Sequence, residues 1–425
     1  MILIISVLFW GMFIFFLAKL FLGQGKALKP IFIGGLLIKS VAGICVGLVY
    51  TYYYSAGDTF GFFSDAQVLN TFFYKMPSDY FNFILFGDQF SDITNGLLNE
   101  EGRSLFLIKN LSLVSLVSFD NYWVSSIAFS IISFLGCWYA LDKVIAHFPE
   151  GKWAAVISFL FVPTFVFWSS GIIKESLAVA ALMFLAGFLL TMVYKAKSKP
   201  WECFFTFIAI LFLWKLKYYW AALFIPTAIT TVLLVRLVLP VVPGRNKLFE
   251  TLLWIVVFGF IVLGASNIHP NFYLSRFLHV VVENHNAYVI ASHSGPVVHF
   301  YNLEPRWGSV VMNSPWALFS GLFRPVIFES VSFFQIVIAI ENLLLLVLFI
   351  FNMRYILNAW NSKYRLLIIG AVVYICLLAI FLTLSTPNFG TLSRYRVGFL
   401  PFFFFLLLYY PSQVVLGKIV KLKID

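Results

Sequence analysis

Asp58 and Asp65 stand seven residues apart in the run Gly57-Asp58-Thr59-Phe60-Gly61-Phe62-Phe63-Ser64-Asp65. Seven residues are about two helical turns, so a helix there carries both carboxylates on one face. A carboxylate at a membrane rim can take the proton of an acceptor hydroxyl or hold a divalent cation. The plainer alternative makes Asp58 an N-cap, with Gly57 ending the apolar run before it.

Three further groups carry chemistry. In Trp168-Ser169-Ser170-Gly171-Ile172-Ile173-Lys174-Glu175-Ser176, a tight turn between two apolar runs sets Lys174 and Glu175 at a membrane boundary. There Lys174 could bind a phosphate, while Ser169 or Ser170 could simply cap the next helix. Pro387-Asn388-Phe389-Gly390-Thr391-Leu392-Ser393-Arg394-Tyr395-Arg396 precedes the last apolar run. Arg394 and Arg396 there suit an anion, because guanidinium is planar and always charged. Snorkelling to lipid headgroups is the competing account. Segment 267–331 holds five of the six histidines, His269, His279, His285, His293 and His299, together with Arg324. None has the spacing of a compact zinc motif. His293 and its neighbours are expected to hydrogen-bond a polar substrate, and Arg324 to face a cavity.

These residues need elements to hold them, and composition says which. The 425 residues are 61% hydrophobic and 11% charged, with a mean hydropathy of +0.94. Soluble domains are about 25% charged, so a water-soluble enzyme is excluded. The apolar runs are continuous and do not alternate, which excludes a β-barrel. An all-α, polytopic membrane protein follows. Apolar segments fall near 1–22, 31–53, 122–141, 153–168, 176–194, 201–214, 220–240, 251–266, 332–352, 366–384 and 397–416, giving about 11 spans (10–13). Residues 1–22 read as a retained helix. Cys45, Cys137, Cys203 and Cys376 all lie in apolar runs, so a disulfide framework is not expected.

Orientation follows from Lys and Arg in short loops. Lys26, Lys29, Lys143, Lys152, Lys195, Lys197, Lys199, Arg245, Lys247, Arg354, Lys363, Arg365, Lys418, Lys421 and Lys423 fall on alternate loops. That face is expected to be cytoplasmic, with the N-terminus outside and the C-terminus inside. Lys215 and Lys217 are exceptions, falling outside. The outer loops 54–121 and 267–331 are rich in aromatics and are expected to be partly helical. With no repeat and no linker, residues 1–425 read as a single transmembrane domain.

The combination resembles the GT-C superfamily of integral-membrane glycosyltransferases and, more loosely, bacterial envelope polysaccharide polymerases. The acidic run Asp58 to Asp65 in the first large outer loop, the Gly171-Ile172-Ile173-Lys174-Glu175 turn and the stretch Ser393-Arg394-Tyr395-Arg396 before Pro401 carry the likeness. It differs in placing the acidic loop after the second apolar run. The resemblance implies a polyprenyl-phosphate-linked sugar donor, a glycan or lipid-linked acceptor, and a bacterial inner membrane. It assigns Asp58 or Asp65 to the acceptor hydroxyl, and Arg394 and Arg396 to the leaving phosphate. No cofactor is assigned; a divalent cation on the carboxylates stays an open alternative, because the sequence has no adjacent Asp-Asp or Asp-Glu pair there. A nucleotide sugar is a poor fit, because the cytoplasmic loops are too short for a nucleotide-binding domain, and no nucleic-acid partner is expected. The alternatives are a repeat-unit polymerase, a transporter or flippase, and a non-catalytic assembly subunit.

Overall fold

The computed structural model describes Trp10 and residues 28–54, 58–87, 94, 96–194, 196–242, 246–267, 270–292, 295–330, 332–358, 361–362 and 364–421. The first apolar segment, 1–22, and the proposed ligand His293 lie outside the described residues, Trp10 apart. Among the described residues the chain is all-helical, and the extended pairing is an isolated bridge between Val297 and Asn388.

The helices in chain order are α1 (Lys29–Tyr52), α2 (Asp58–Lys75), α3 (Pro77–Phe86), α4 (Gly102–Val117), α5 (Tyr122–His147), α6 (Lys152–Leu160), α7 (Pro163–Trp168) and α8 (Lys174–Val193). They continue with α9 (Pro200–Leu233), α10 (Lys247–Ala265), α11 (Leu274–Ala291), α12 (Trp307–Phe323), α13 (Phe333–Asn358), α14 (Arg365–Ser385), α15 (Phe389–Tyr395) and α16 (Leu400–Lys421). Seven of the described helices are long and apolar enough to cross a membrane, or eight if the pair 389–398 and 400–411, bent by 65°, counts as one span. This is a multi-pass membrane protein.

The expected count of about 11 spans is not confirmed among the described residues, and two segments differ from expectation for local reasons. The segment expected at 153–168 is two short helices, α6 and α7, because Pro163 cannot donate to the preceding turn. The segments expected at 201–214 and 220–240 run together as one helical stretch, Pro200–Val241, of 42 residues. Lys215 and Lys217 are the reason they read as separate. At 1.5 Å per residue that stretch is about 63 Å long, roughly twice a hydrocarbon core. It is broken at Lys217 (φ −142°, ψ 65°).

Contacts divide the chain into two compact units. The first comprises 1–140, 166–185 and 204–218, and the second 141–165, 186–203 and 219–425. In the first unit the loop expected at 54–121 is largely helical. There α2 packs on α4, held by polar as well as apolar contacts. Ser112 Oγ donates to Asn70 Oδ1 at 2.6 Å, and Tyr80 shares a hydrogen bond with Ser112 at 2.8 Å. Asp120 accepts from Asn70 and from Ser115. Close packing in this unit depends on small residues: a Cβ on Gly43 of α1 would lie 2.2 Å from Ser130 Oγ of α5. In the second unit α12 packs on α14, where a Cβ on Gly321 would lie 2.5 Å from Thr383 Oγ1.

Candidate functional site

In the first unit, the chain from 96 to 104 is fastened at both ends. Asp65, 1% exposed, accepts at Oδ1 from the Leu98 N–H (2.8 Å). Its Oδ2 accepts from Asn99 N (3.1 Å) and Asn99 Nδ2 (2.8 Å). Both carboxylate oxygens are thus committed to holding a turn. Asp58 shares the helix but is exposed, in its first turn, where a negative charge suits the helix dipole. The expected helix is present, and the two carboxylates differ in burial.

At the other end of this segment, Lys174 donates to Ser104 Oγ (2.8 Å) and lies 3.4 Å from Glu101 Oε2. Arg103 Nε donates to Glu101 Oε1 at 2.6 Å. Two cations therefore close around one carboxylate. The Arg103 guanidinium lies 5.6 Å over the Tyr218 ring, and the Lys174 ammonium 5.4 Å over Phe62. Burial alone would raise the Glu101 carboxyl. Lys174 and Arg103 outweigh it, and the carboxyl titrates below its ordinary value. Glu101 and Ser104 were not picked out from sequence. Their three-residue spacing at the start of α4 was the available signal, since a helix start gathers such side chains.

The turn at 168–176 is anchored from below. Gly171 adopts φ +75°, which glycine tolerates without strain. Its N–H donates to Ser130 Oγ at 2.9 Å. The Lys39 ammonium, buried midway along α1, donates to Ser169 Oγ. Ser170 donates back to Val166 O at 2.6 Å, so its hydroxyl does not cap α8. Glu175 turns inward and pairs with Lys217. That pairing explains the lysine that topology had marked as an exception.

The second unit holds its own cationic group. Arg324 grips Glu329 through two nitrogens, with Nε 2.9 Å from Oε1 and Nη2 on the same oxygen. Its guanidinium lies 4.9 Å over Trp316 and 5.1 Å over Phe389. Arg396 is 2% exposed and donates through Nη1 to the Arg324 carbonyl at 3.1 Å. It does not snorkel to lipid. Among the described residues its Nε has no hydrogen-bond partner. Nearby on α13, Asn342 Nδ2 donates to the Pro325 carbonyl at 2.9 Å, and Glu341 accepts from Thr164 N at 2.9 Å. Arg394 is half-buried.

The segment 295–300 and the run at 387–396 meet, with Val298 N donating to Pro387 O (2.9 Å) and Asn388 Nδ2 to Ser292 Oγ (2.7 Å). His285 is buried against Leu384, its Nδ1 donating to that carbonyl at 3.0 Å. Burial pushes the imidazole below its usual value, and the hydrogen bond opposes this only in part. His285 therefore serves the packing of α11 on α14.

The structure thus gathers the predicted residues within units: Asp65 and Lys174 on either side of 96–104, and Arg324 against Arg396. Among the described residues no group of three His, Cys, Asp or Glu could hold a metal ion. No family model, curated protein or solved structure matches the chain.

Proposed function

We propose that this membrane protein is a glycosyltransferase of the GT-C kind, taking its sugar from a polyprenyl-phosphate-linked donor on the outer face of the membrane. The observation that carries the reading is the cluster of Lys174, Arg103 and Glu101 at the mouth of an apolar helix. Cations beside the start of an apolar helix suit the phosphate of a lipid whose chains stay in the bilayer, because hydrogen bonds between charged groups are the stronger ones. An incoming phosphate would compete with Glu101 for both. Asp58, exposed and in the first turn of α2, is the carboxylate assigned to the acceptor hydroxyl. Asp65 is a positioning residue that holds the segment carrying Glu101 and Arg103.

The test is transfer from a synthetic polyprenyl-phosphate sugar by the purified protein. Wild type should turn over. Lys174→Ala should weaken donor binding by about 10- to 150-fold, the worth of a hydrogen bond to a charged group. Wild-type donor affinity in Lys174→Ala and Arg103→Ala alike would sink the assignment.

A further inference from the structure

In the second unit, several apolar helices end around one cavity of ≈ 380 Å³. Tyr194 comes from the end of α8, Leu239 from the end of the stretch continuing α9, and Glu250 from the first turn of α10. Tyr364, Arg365 and Leu366 come from the start of α14. All are helix ends, so the cavity sits at interfacial depth. By the count of Lys and Arg this is the cation-rich side. The volume lies in the range of small-ligand sites.

Its walls are of two kinds. The floor is apolar, since Leu239 and Leu366 belong to a packed cluster with Leu234 and Trp254. An ion pair between Arg365 and Glu250, both side chains largely buried, lines the cavity together with the two tyrosines. Among the described residues, two nearby cations bond elsewhere: Lys247 donates to Asn361 Oδ1 at 2.6 Å, and Arg236 to Met192 O at 3.0 Å. Among the described residues that line it, the cavity thus has one positive and one negative group side by side, next to apolar side chains. Only 11% of the apolar window of α10 is buried, so the helix that carries Glu250 presents most of its surface to lipid.

We propose that this cavity binds the phosphoethanolamine headgroup of a bilayer phospholipid, with its phosphate against Arg365 and its ammonium against Glu250. A zwitterion laid antiparallel to the ion pair satisfies both charges without breaking the pair. A singly anionic headgroup would meet Glu250 as a repulsive neighbour, and like charges are strongly disfavoured away from bulk water. The tyrosine rings add faces for the ammonium, and the apolar floor receives the first carbons of the chains. This binding is independent of glycosyl transfer.

The experiment uses the full-length protein, delipidated in detergent. Thermal unfolding is followed against dihexanoyl-phosphatidylethanolamine, dihexanoyl-phosphatidylglycerol and chain-free phosphoethanolamine across a range of concentrations, since a ligand of the folded state raises Tm with the logarithm of its concentration over Kd. The phosphatidylethanolamine should bind about tenfold tighter than the phosphatidylglycerol, the low end of a charge-assisted contact. Glu250→Gln should erase that preference. Leu239→Trp fills the cavity, leaves the ion pair in place and should remove the stabilisation; it decides the matter if Glu250→Gln does not fold. Equal binding of the two lipids by wild type, or an unchanged preference in the folded variants, overturns the proposal. Equally tight binding of chain-free phosphoethanolamine would assign the cavity to a soluble zwitterion and overturn the lipid assignment.

Discussion

Glu175 and Lys217 form an ion pair with Nζ and Oε1 2.5 Å apart and side chains 0% and 4% exposed. The pair joins the first turn of α8 to the break in α9. Its neighbour in sequence, Lys174, faces Ser104 and Glu101 instead. Successive helical residues point about 100° apart, so one helix start serves an interior pair and a cluster at the rim.

Removing one partner of that pair strands the other charge. Glu175→Gln or Lys217→Met should each destabilise the protein by about 3–5 kcal/mol. The double variant Glu175→Gln/Lys217→Met should recover most of the loss. Denaturation in detergent, read as a double-mutant cycle, measures the coupling. Additive losses would mean that the two charges do not depend on one another.

The two aspartates of α2 should separate by readout. Asp58→Asn should lower transfer by about 10²–10⁴, the usual worth of a general base, with stability close to wild type. Asp65→Ala removes the acceptor for two backbone N–H groups. It should cost about 1–3 kcal/mol for each buried donor left unsatisfied. Unfolding curves and turnover of the same preparations distinguish them. A stable Asp65→Ala with full loss of turnover would reverse the roles.

Acid should destabilise the second unit in two windows. His285 is depressed below 6.5 by burial, so the unfolded chain takes up that proton first. Its contribution is complete above 6.5 and declines as pH falls below it. Burial pushes the Glu329 carboxyl up, but the Arg324 fork and the Val326 N–H outweigh burial and hold it below 4.5. That contribution is complete above 4.5 and is lost at lower pH. His285→Gln should flatten the first decline and Glu329→Gln the second. Melting temperatures across the acid range, compared among the three proteins, give the result.

The late arginines should also divide. Arg396 is buried and bonded to the Arg324 backbone, so Arg396→Ala should act through stability, lowering Tm. Arg394 is half-buried, so Arg394→Ala should leave Tm closer to wild type than Arg396→Ala does. An equal loss of Tm in the two variants would give both residues the same structural role.

Orientation is open to direct labelling. In a cysteine-free background, Glu304→Cys should react with an impermeant thiol reagent applied from outside, and Lys197→Cys should not. Both positions are exposed. The reverse pattern would place the Lys174 cluster on the cytoplasmic side and remove a lipid-linked donor from consideration.

The apolar runs alone determined an all-helical membrane protein, because a backbone in lipid must satisfy its own hydrogen bonds and a span needs about 20 apolar residues. Helices near 31–53, 122–141, 176–194, 251–266, 332–352 and 366–384 were legible for that reason. The charged exceptions were legible as residues but not as partners. Lys217 looked like a loop lysine because nothing local says that Glu175, 42 positions earlier, will neutralise it inside the protein. Asp65 and Asp58 looked equivalent because sequence spacing gives a face but not its depth. Only the approach of Leu98 and Asn99 made one structural and left the other exposed. Arg396 resembled a phosphate ligand by type, and nothing local showed that the fold would bury it with Nη1 on the Arg324 carbonyl. Residue type and period are local properties, whereas burial and pairing depend on which distant segments arrive, and tertiary packing alone decides that.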